Sequence, residues 1–281
     1  MKRQPHRLFG VIGSPLGHTL SPYMHNAAFR KLKLNAAYLP FAIKKDKLKE
    51  AMAAFRSPPI AGFNVTIPFK SECIRYIDSI DPVAKKIGAV NTVVVKNKRL
   101  KGYNTDYSGF IRSIKEDLKF RPEGKRVFVF GAGGAARAVV FGLLKEGASS
   151  ISIYDIVGKK AKALSKSAKK SFKRTAVKSC SAREIKNLVK EADLLINCTP
   201  LGMKKGDSLP VDIKFLHKKI KVYDIVYNPL ETKLIKSARK KGIKAAGGIN
   251  MLLYQGAEAF ELWTKKKAPI ALMRKVLLEH L

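Results

Sequence analysis

Cysteine is scarce: Cys73, Cys180 and Cys198 stand far apart and form no CxxC pair. This gives no support to a disulfide framework or a zinc knuckle, and a reducing compartment suits the chain. Acidic residues are few, 21 against 56 lysines and arginines, for a formal net charge of +35. No apolar run reaches membrane-spanning length. The basic first residues, 1–7, lead into a short strand-like run and not into an apolar signal core, so the expectation is a soluble, unexported, cytoplasmic protein. The five histidines, His6, His18, His25, His217 and His280, show no metal-ligand spacing, and no G-x-S-x-G elbow is present, so no metal is expected. His25 reads as a packing or helix-surface residue, and Met203, Met251 and Trp263 as packing residues.

The excess charge would attract anions of any kind. Its lysines, however, fall in scattered doublets such as Lys44-Lys45, Lys85-Lys86, Lys169-Lys170 and Lys240-Lys241, and only Lys265-Lys266-Lys267 is longer. Aromatic residues are not interleaved with them, so a dedicated nucleic-acid surface is not supported and solvated helix faces are expected. A length of 281 residues at 46% hydrophobic content is enough for two domains.

The strongest local pattern is Phe128-Val129-Phe130-Gly131-Ala132-Gly133-Gly134-Ala135-Ala136-Arg137, an apolar strand entering a glycine-rich turn and a small-residue helix. Gly131 supplies a turn conformation closed to larger residues, Gly133 allows backbone close to a pyrophosphate, and Ala136 permits tight packing of helix on strand. The helix N-terminus presents unpaired N–H groups to the anion. The next strand ends in Asp155, about 20 residues on, where an acid holds a ribose hydroxyl. Gly131, Ala132, Gly133, Gly134, Ala135 and Asp155 are therefore candidate dinucleotide ligands.

Strands are expected at residues 8–13, 37–43 and 62–66, each followed by a helix: from Ser21 as cap with Pro22 in the first turn, over 44–55, and after Pro68. Residues 90–95 and 100–103 read as a hairpin turning at Asn97. A helix over 106–118 leads to a break before the glycine loop. Further strands are expected at 151–155, 194–197, 222–226 and 243–245, then helix from 249 to the end with an interruption near Pro269. Alternating strands and helices imply an α/β fold with mainly parallel sheets. The expected division is residues 1–110, completed by terminal helices 249–281 packing back on them, and 111–248.

Polar motifs stand where strands meet loops: Asn64-Val65-Thr66-Ile67-Pro68-Phe69-Lys70, Gly88-Ala89-Val90-Asn91-Thr92 and Gly102-Tyr103-Asn104-Thr105-Asp106. Such positions at the carboxyl ends of strands are where open α/β sheets bind ligands. Singly, Lys70 reads as a solvated charge and Asp106 as a helix N-cap.

Together with His18-Thr19-Leu20-Ser21-Pro22, Asn197-Cys198-Thr199-Pro200-Leu201-Gly202-Met203, Asp224-Ile225-Val226-Tyr227-Asn228-Pro229 and the run from Gly248 to Gln255, these segments resemble the successive signatures of the shikimate dehydrogenase family, in order and over nearly the whole chain. The resemblance implies an N-terminal substrate-binding α/β domain, a C-terminal Rossmann-type domain, and reversible reduction of 3-dehydroshikimate to shikimate, a step toward aromatic amino acids, in the cleft between the domains. It implies Lys70 as the group that transfers a proton, with Asp106 as its partner. Asn64, Thr66, Asn91 and Gln255 would hold ring hydroxyls, Thr19 and Ser21 the carboxylate, and Tyr227 would line the pocket. Thr199, Ile225, Gly248 and Met251 would wall the nicotinamide. A monomer or homodimer with a small-molecule substrate, no specific nucleic acid and no membrane is implied.

Two departures bear on specificity. Thr19 stands where the family usually has serine, which leaves quinate-type substrates open. Asp155-Ile156-Val157 replaces an Asn-Arg-Thr run whose arginine would pair with the 2′-phosphate of NADP; a carboxylate accepts from a free 2′-hydroxyl and repels a phosphate, favouring NAD over the family's NADP. Lys159 and Lys160 follow and could still meet a phosphate. These residues leave room for a quinate or quinate/shikimate dehydrogenase using NAD and, remotely, the charge leaves room for a basic nucleic-acid-binding protein.

Overall fold

The computed structural model describes residues 6–17, 19–172 and 175–281. The basic residues 1–5 and His18 of the first polar motif lie outside the described residues. The chain divides into two compact units, one running to Asp106 and resuming over Leu253–Leu281, the other spanning Tyr107–Leu252.

The first unit holds β1 (Arg7–Gly13), α1 (Ser21–Lys31), β2 (Ala36–Ala42), α2 (Leu48–Ala54), β3 (Ile60–Val65), β4 (Ser79–Ile80), α3 (Pro82–Ile87), β5 (Thr92–Lys96) and β6 (Arg99–Tyr103). Its sheet runs β2-β1-β3-β5-β6-β4, with β1 parallel to both neighbours and β5 antiparallel to β3 and β6. The β5–β6 hairpin turns on Asn97 and Lys98, both at positive φ, 51° and 59°. Two such residues between Lys96 and Arg99 make the turn that matches strand twist. The chain closes with α9 (Ile249–Thr264) and α10 (Ile270–Glu279), and α10 packs on α1.

Two expectations fail here, and one helix stands where none was expected. Ser21 caps nothing: Leu20 is already in the right-handed helical region, which puts Ser21 inside the first turn. No helix follows Pro68 at once. The chain makes turns over 67–72, with the Phe69 amide donating to the Thr66 carbonyl and the Lys70 carbonyl taken by the Val90 amide instead of by a helical partner, and only a short 3-10 helix, Cys73–Tyr76, follows. Helix α3 was not expected, although Asp81 caps it through the Val83 and Ala84 amides and Gly88 ends it at φ 69°.

The second unit contains α4 (Asp106–Asp117, from its second residue), β7 (Arg126–Phe130), α5 (Gly134–Lys145), β8 (Ser150–Tyr154), α6 (Gly158–Ser171), β9 (Ala176–Ser179), α7 (Ile185–Glu191), β10 (Leu194–Asn197), β11 (Lys221–Asp224), α8 (Lys233–Lys240) and β12 (Ala245–Gly247). The strand order β12-β11-β10-β7-β8-β9, parallel at every pairing, is that of a doubly wound dinucleotide fold. One apolar cluster joins Phe110, Val129, Val139, Leu143 and Ile153, and a second joins Phe128, Leu195, Val222 and Ile235, so both sheet faces are covered. The last strand starts at Ala245, later than expected, because the Ile243 amide is taken by the Ala238 carbonyl at the end of α8. Met203 is 49% exposed and does not pack as expected, whereas Met251 and Trp263 are buried.

Candidate active site

In the first unit the polar motifs converge. Lys70 sits in the turns after β3, its carbonyl fixed by the Val90 amide at 2.7 Å, and its Nζ donates to Asp106 Oδ2 at 2.7 Å. The side chains are 15% and 6% exposed, so neither is a solvated surface charge. Asp106 does not serve as the cap of α4. Asn104 Oδ1 accepts the Asp106 amide, which leaves the Asp106 carboxylate for Lys70 and for Asn91, whose Nδ2 donates to Oδ1 at 2.9 Å.

Asn91 is a hub. Its Nδ2 also lies within hydrogen-bond distance of Thr105 Oγ1 and Gln255 Oε1, and its Oδ1 accepts from the Thr105 amide and Thr92 Oγ1. Asn64, on β3, donates from Nδ2 to the Asn91 carbonyl and to Thr92 Oγ1, both at 3.0 Å, and accepts at Oδ1 from Tyr38 Oη at 2.7 Å. Thus Asn64, Lys70, Asn91, Asp106 and Gln255 form one connected group. Thr66 stands at its edge, held by the bond from its amide to the Ile12 carbonyl and packed against Gly13. Thr19 is half-buried just before α1, and Ser21 is buried in its first turn. The sequence offered no role for Tyr38, Thr92 or Thr105; Thr92 and Thr105 stand as hydroxyl residues inside the motifs, whereas Tyr38 lies on β2 away from all of them.

In the second unit the glycine loop leaves β7 as expected. Gly131 has φ 95°, and a Cβ there would meet the Cys198 carbonyl oxygen at 2.9 Å and Thr199 Cγ2 at 3.2 Å, so a side chain is excluded twice over. Gly133 precedes α5 in extended conformation without a side-chain cap, and a Cβ there would meet nothing within 4 Å. The space beside Gly133, at the entry to α5, is open to an anion. Asp155 follows β8, and both its oxygens are engaged: Oδ2 accepts the Ala132 amide and Oδ1 the Val157 amide, each at 2.8 Å. Ile156 beside it is 90% exposed.

The other cofactor candidates gather at the ends of β10 and β11. Asn197 Oδ1 accepts the Thr199 amide and hydroxyl, and its Nδ2 donates to Asp224 Oδ1. Asp224 is fully buried, and burial pushes its carboxyl up to about 6 despite bonds from Thr232, the Val226 amide and Asn197. Gly248 has no room for a Cβ, which would overlap the Ile225 carbonyl. Gly248→Ala is expected to lower stability by about 1–3 kcal/mol, read as a fall in the thermal midpoint. Met251 packs into the core beside Ile225, and burial raises the Tyr227 phenol. Among the described residues no group of three His, Cys, Asp or Glu side chains could hold a metal ion.

The sequence matches the model of the shikimate dehydrogenase substrate binding domain over residues 11–93 and that of the shikimate 5'-dehydrogenase C-terminal domain over residues 248–278. It is 44% identical to a shikimate dehydrogenase (NADP(+)) of Moorella thermoacetica over 97% of this chain and 92% of that protein. The chain belongs to the shikimate dehydrogenase family. Among solved structures, the shikimate dehydrogenase of Aquifex aeolicus superposes with a TM-score of 0.89 at 37% identity, covering 99% of each chain. The Listeria monocytogenes shikimate 5-dehydrogenase, solved with shikimate and NAD, gives 0.87 at 33% identity over 96% of each chain. Membership accounts for the ordered motifs, and the quinate and nucleic-acid readings are not favoured. None of the described helices is long and apolar enough to cross a membrane.

Proposed function

We propose that this chain catalyses the reversible reduction of 3-dehydroshikimate to shikimate with a nicotinamide dinucleotide, in the cytoplasm. The observation that carries the reading is the Lys70–Asp106 pair, buried and tied by Asn91 to Asn64 and Gln255. Lys70 delivers a proton to the carbonyl oxygen in reduction and takes it back in oxidation, and Asp106 orients the ammonium. Thr66, Gln255, Asn64 and Asn91 border the sugar-like ring, and Thr19 and Ser21 meet the carboxylate. A polar site of this kind rejects substrates that leave its groups unpaired.

The glycine loop fits a pyrophosphate, by the open space beside Gly133 and the excluded side chain at Gly131. Gly131, Ala132, Gly133, Gly134 and Ala135 would hold the phosphates, Asp155 the adenosine ribose, and Thr199, Ile225, Gly248 and Met251 the nicotinamide. The bound nicotinamide supplies or accepts the hydride. Asp155, followed by the apolar Ile156 and Val157, favours NAD over NADP, while the Moorella relative is named for NADP(+).

Purified protein with shikimate and either NAD or NADP should yield reduced nicotinamide, and absence of product with both would overturn the reading. For the cofactor, kcat/KM should be higher with NAD. Asp155→Asn is expected to move the NAD/NADP ratio toward NADP by about tenfold, the loss of one full charge near a phosphate. An amide keeps one acceptor oxygen and loses the other, so the loop bonds to Ala132 and Val157 cannot both survive and affinity for both dinucleotides should fall. The ratio is therefore the deciding readout, and an unchanged ratio would contradict the role given to Asp155.

A further inference from the structure

We infer that Tyr38 and Thr92 are positioning residues for the reaction, the outer links of a one-way chain of hydrogen-bond donors that ends on Asp106. The inference rests on the roles given above to Lys70 and Asp106. Five side chains take part: Tyr38 Oη to Asn64 Oδ1 at 2.7 Å, Asn64 Nδ2 to Thr92 Oγ1 at 3.0 Å, Thr92 Oγ1 to Asn91 Oδ1 at 3.1 Å, and Asn91 Nδ2 to Asp106 Oδ1 at 2.9 Å. Lys70 closes the far side at Asp106 Oδ2.

The sense of the chain is fixed at both ends. Asn64 faces the Asn91 backbone carbonyl, which can only accept, so Asn64 must present its NH₂ there and its oxygen to Tyr38, and the phenol must donate. At the other end an ionised Asp106 paired with Lys70 can only accept, so Asn91 must present its NH₂ to it. Asn91 Oδ1 then faces the Thr105 amide and Thr92, and the Thr92 hydroxyl, already receiving from Asn64, donates onward to Asn91 Oδ1 at 3.1 Å, the nearer of its two acceptors, with Thr105 Oγ1 at 3.3 Å. Neither amide can flip without setting acceptor against acceptor. Donors aligned in one direction polarise one another, and each strengthens the next toward the carboxylate.

The outer end is itself anchored. Tyr38 is fully buried on β2, and Asn26 of α1 brackets its backbone, accepting the Tyr38 amide at 2.8 Å and donating to its carbonyl at 2.9 Å. The neighbouring His25 lies against the phenol ring at 4.5 Å and 14°. Helix α1 therefore fixes Tyr38 through both ring and backbone, and with it the start of the chain.

Thr92→Val replaces the hydroxyl by a methyl of similar size and interrupts the chain two links from Asp106. With shikimate as substrate, kcat should fall about tenfold while KM for the dinucleotide stays within about twofold. Thr92→Ser, which keeps the hydroxyl and loses only the buried γ-methyl that Thr92→Val retains, should keep kcat close to that of the parent chain. Tyr38→Phe keeps the ring and should lower kcat by about twofold to threefold. If Thr92→Val turns over shikimate as fast as the parent chain, the inference is overturned and the functional reading stands. If Thr92→Ser is as slow as Thr92→Val, the residue acts through packing and the positioning role is overturned. No turnover by the parent chain overturns the functional reading, and this inference with it.

Discussion

Lys70→Ala is expected to lower kcat for shikimate oxidation by about 10²–10⁴-fold, the usual worth of a positioned proton-transfer group. Hydride leaves the substrate carbon only as the hydroxyl proton finds an acceptor, and at this site Lys70 Nζ is the nitrogen held in place by Asp106 at 2.7 Å. Alanine also strips a carboxylate that is only 6% exposed of its counter-charge, so part of any loss would reflect a weakened fold. Lys70→Arg separates the two effects. A guanidinium keeps the charge and can pair with Asp106, yet it stays protonated and cannot accept the proton. It should retain most of the thermal midpoint and still lose at least about 10²-fold in kcat. An alanine variant within tenfold of the parent would show that Lys70 is not the proton-transfer group. A slow alanine variant beside a fully active arginine variant would reduce Lys70 to a charge that holds Asp106 in place.

How much of this site can be read from sequence depends on how far apart its parts lie along the chain. The glycine loop is local: strand, turn and helix span residues 126–145, and φ 95° at Gly131 is what its glycine implied. The hairpin at Asn97 is local in the same way, fixed by two residues able to take positive φ. The donor chain is not. It joins residues 38, 64, 91, 92 and 106, and only folding of β2, β3 and β5 into one sheet brings them together. Motif resemblance pointed to Asn64, Asn91 and Asp106 without revealing that most of their polar atoms face one another. The elements that the sequence reading does not find are short ones. Helix α3 has its capping acid, proline and glycine in sequence, but six residues are too few for apolar periodicity to register. Strand β9, Ala176–Ser179, is a four-residue edge strand with one buried position.

The second large effect concerns acid stability and centres on His25. Its ring is fully buried among Phe29, Tyr38, Phe260 and Trp263, with centroids 4.5–6.5 Å away, and neither ring nitrogen has a partner. Burial alone drives its pKa from 6.5 down to about 3, so the folded chain holds it neutral. The unfolded chain protonates it below about 6.5, and the fold therefore loses stability as pH falls from there toward 3, by on the order of 5 kcal/mol over the full span. Asp224 works in the opposite sense. Its carboxyl is raised to about 6 in the fold from 3.8, so acidification from 6 to 3.8 relieves the cost of a buried charge, on the order of 3 kcal/mol. The two windows overlap, and the parent chain should weaken only modestly between pH 6 and 4 and more steeply below. His25→Phe removes the first contribution and leaves the second. A phenyl ring can keep the stacking on Tyr38 and no longer buries two unpaired nitrogens. The variant should match or exceed the parent at pH 8 and become more stable as pH falls to 4, reversing the parent's trend, as read from urea midpoints at the two pH values. Parallel pH dependence in parent and variant would mean that His25 finds a proton acceptor in the fold and that its buried neutrality does not govern acid unfolding.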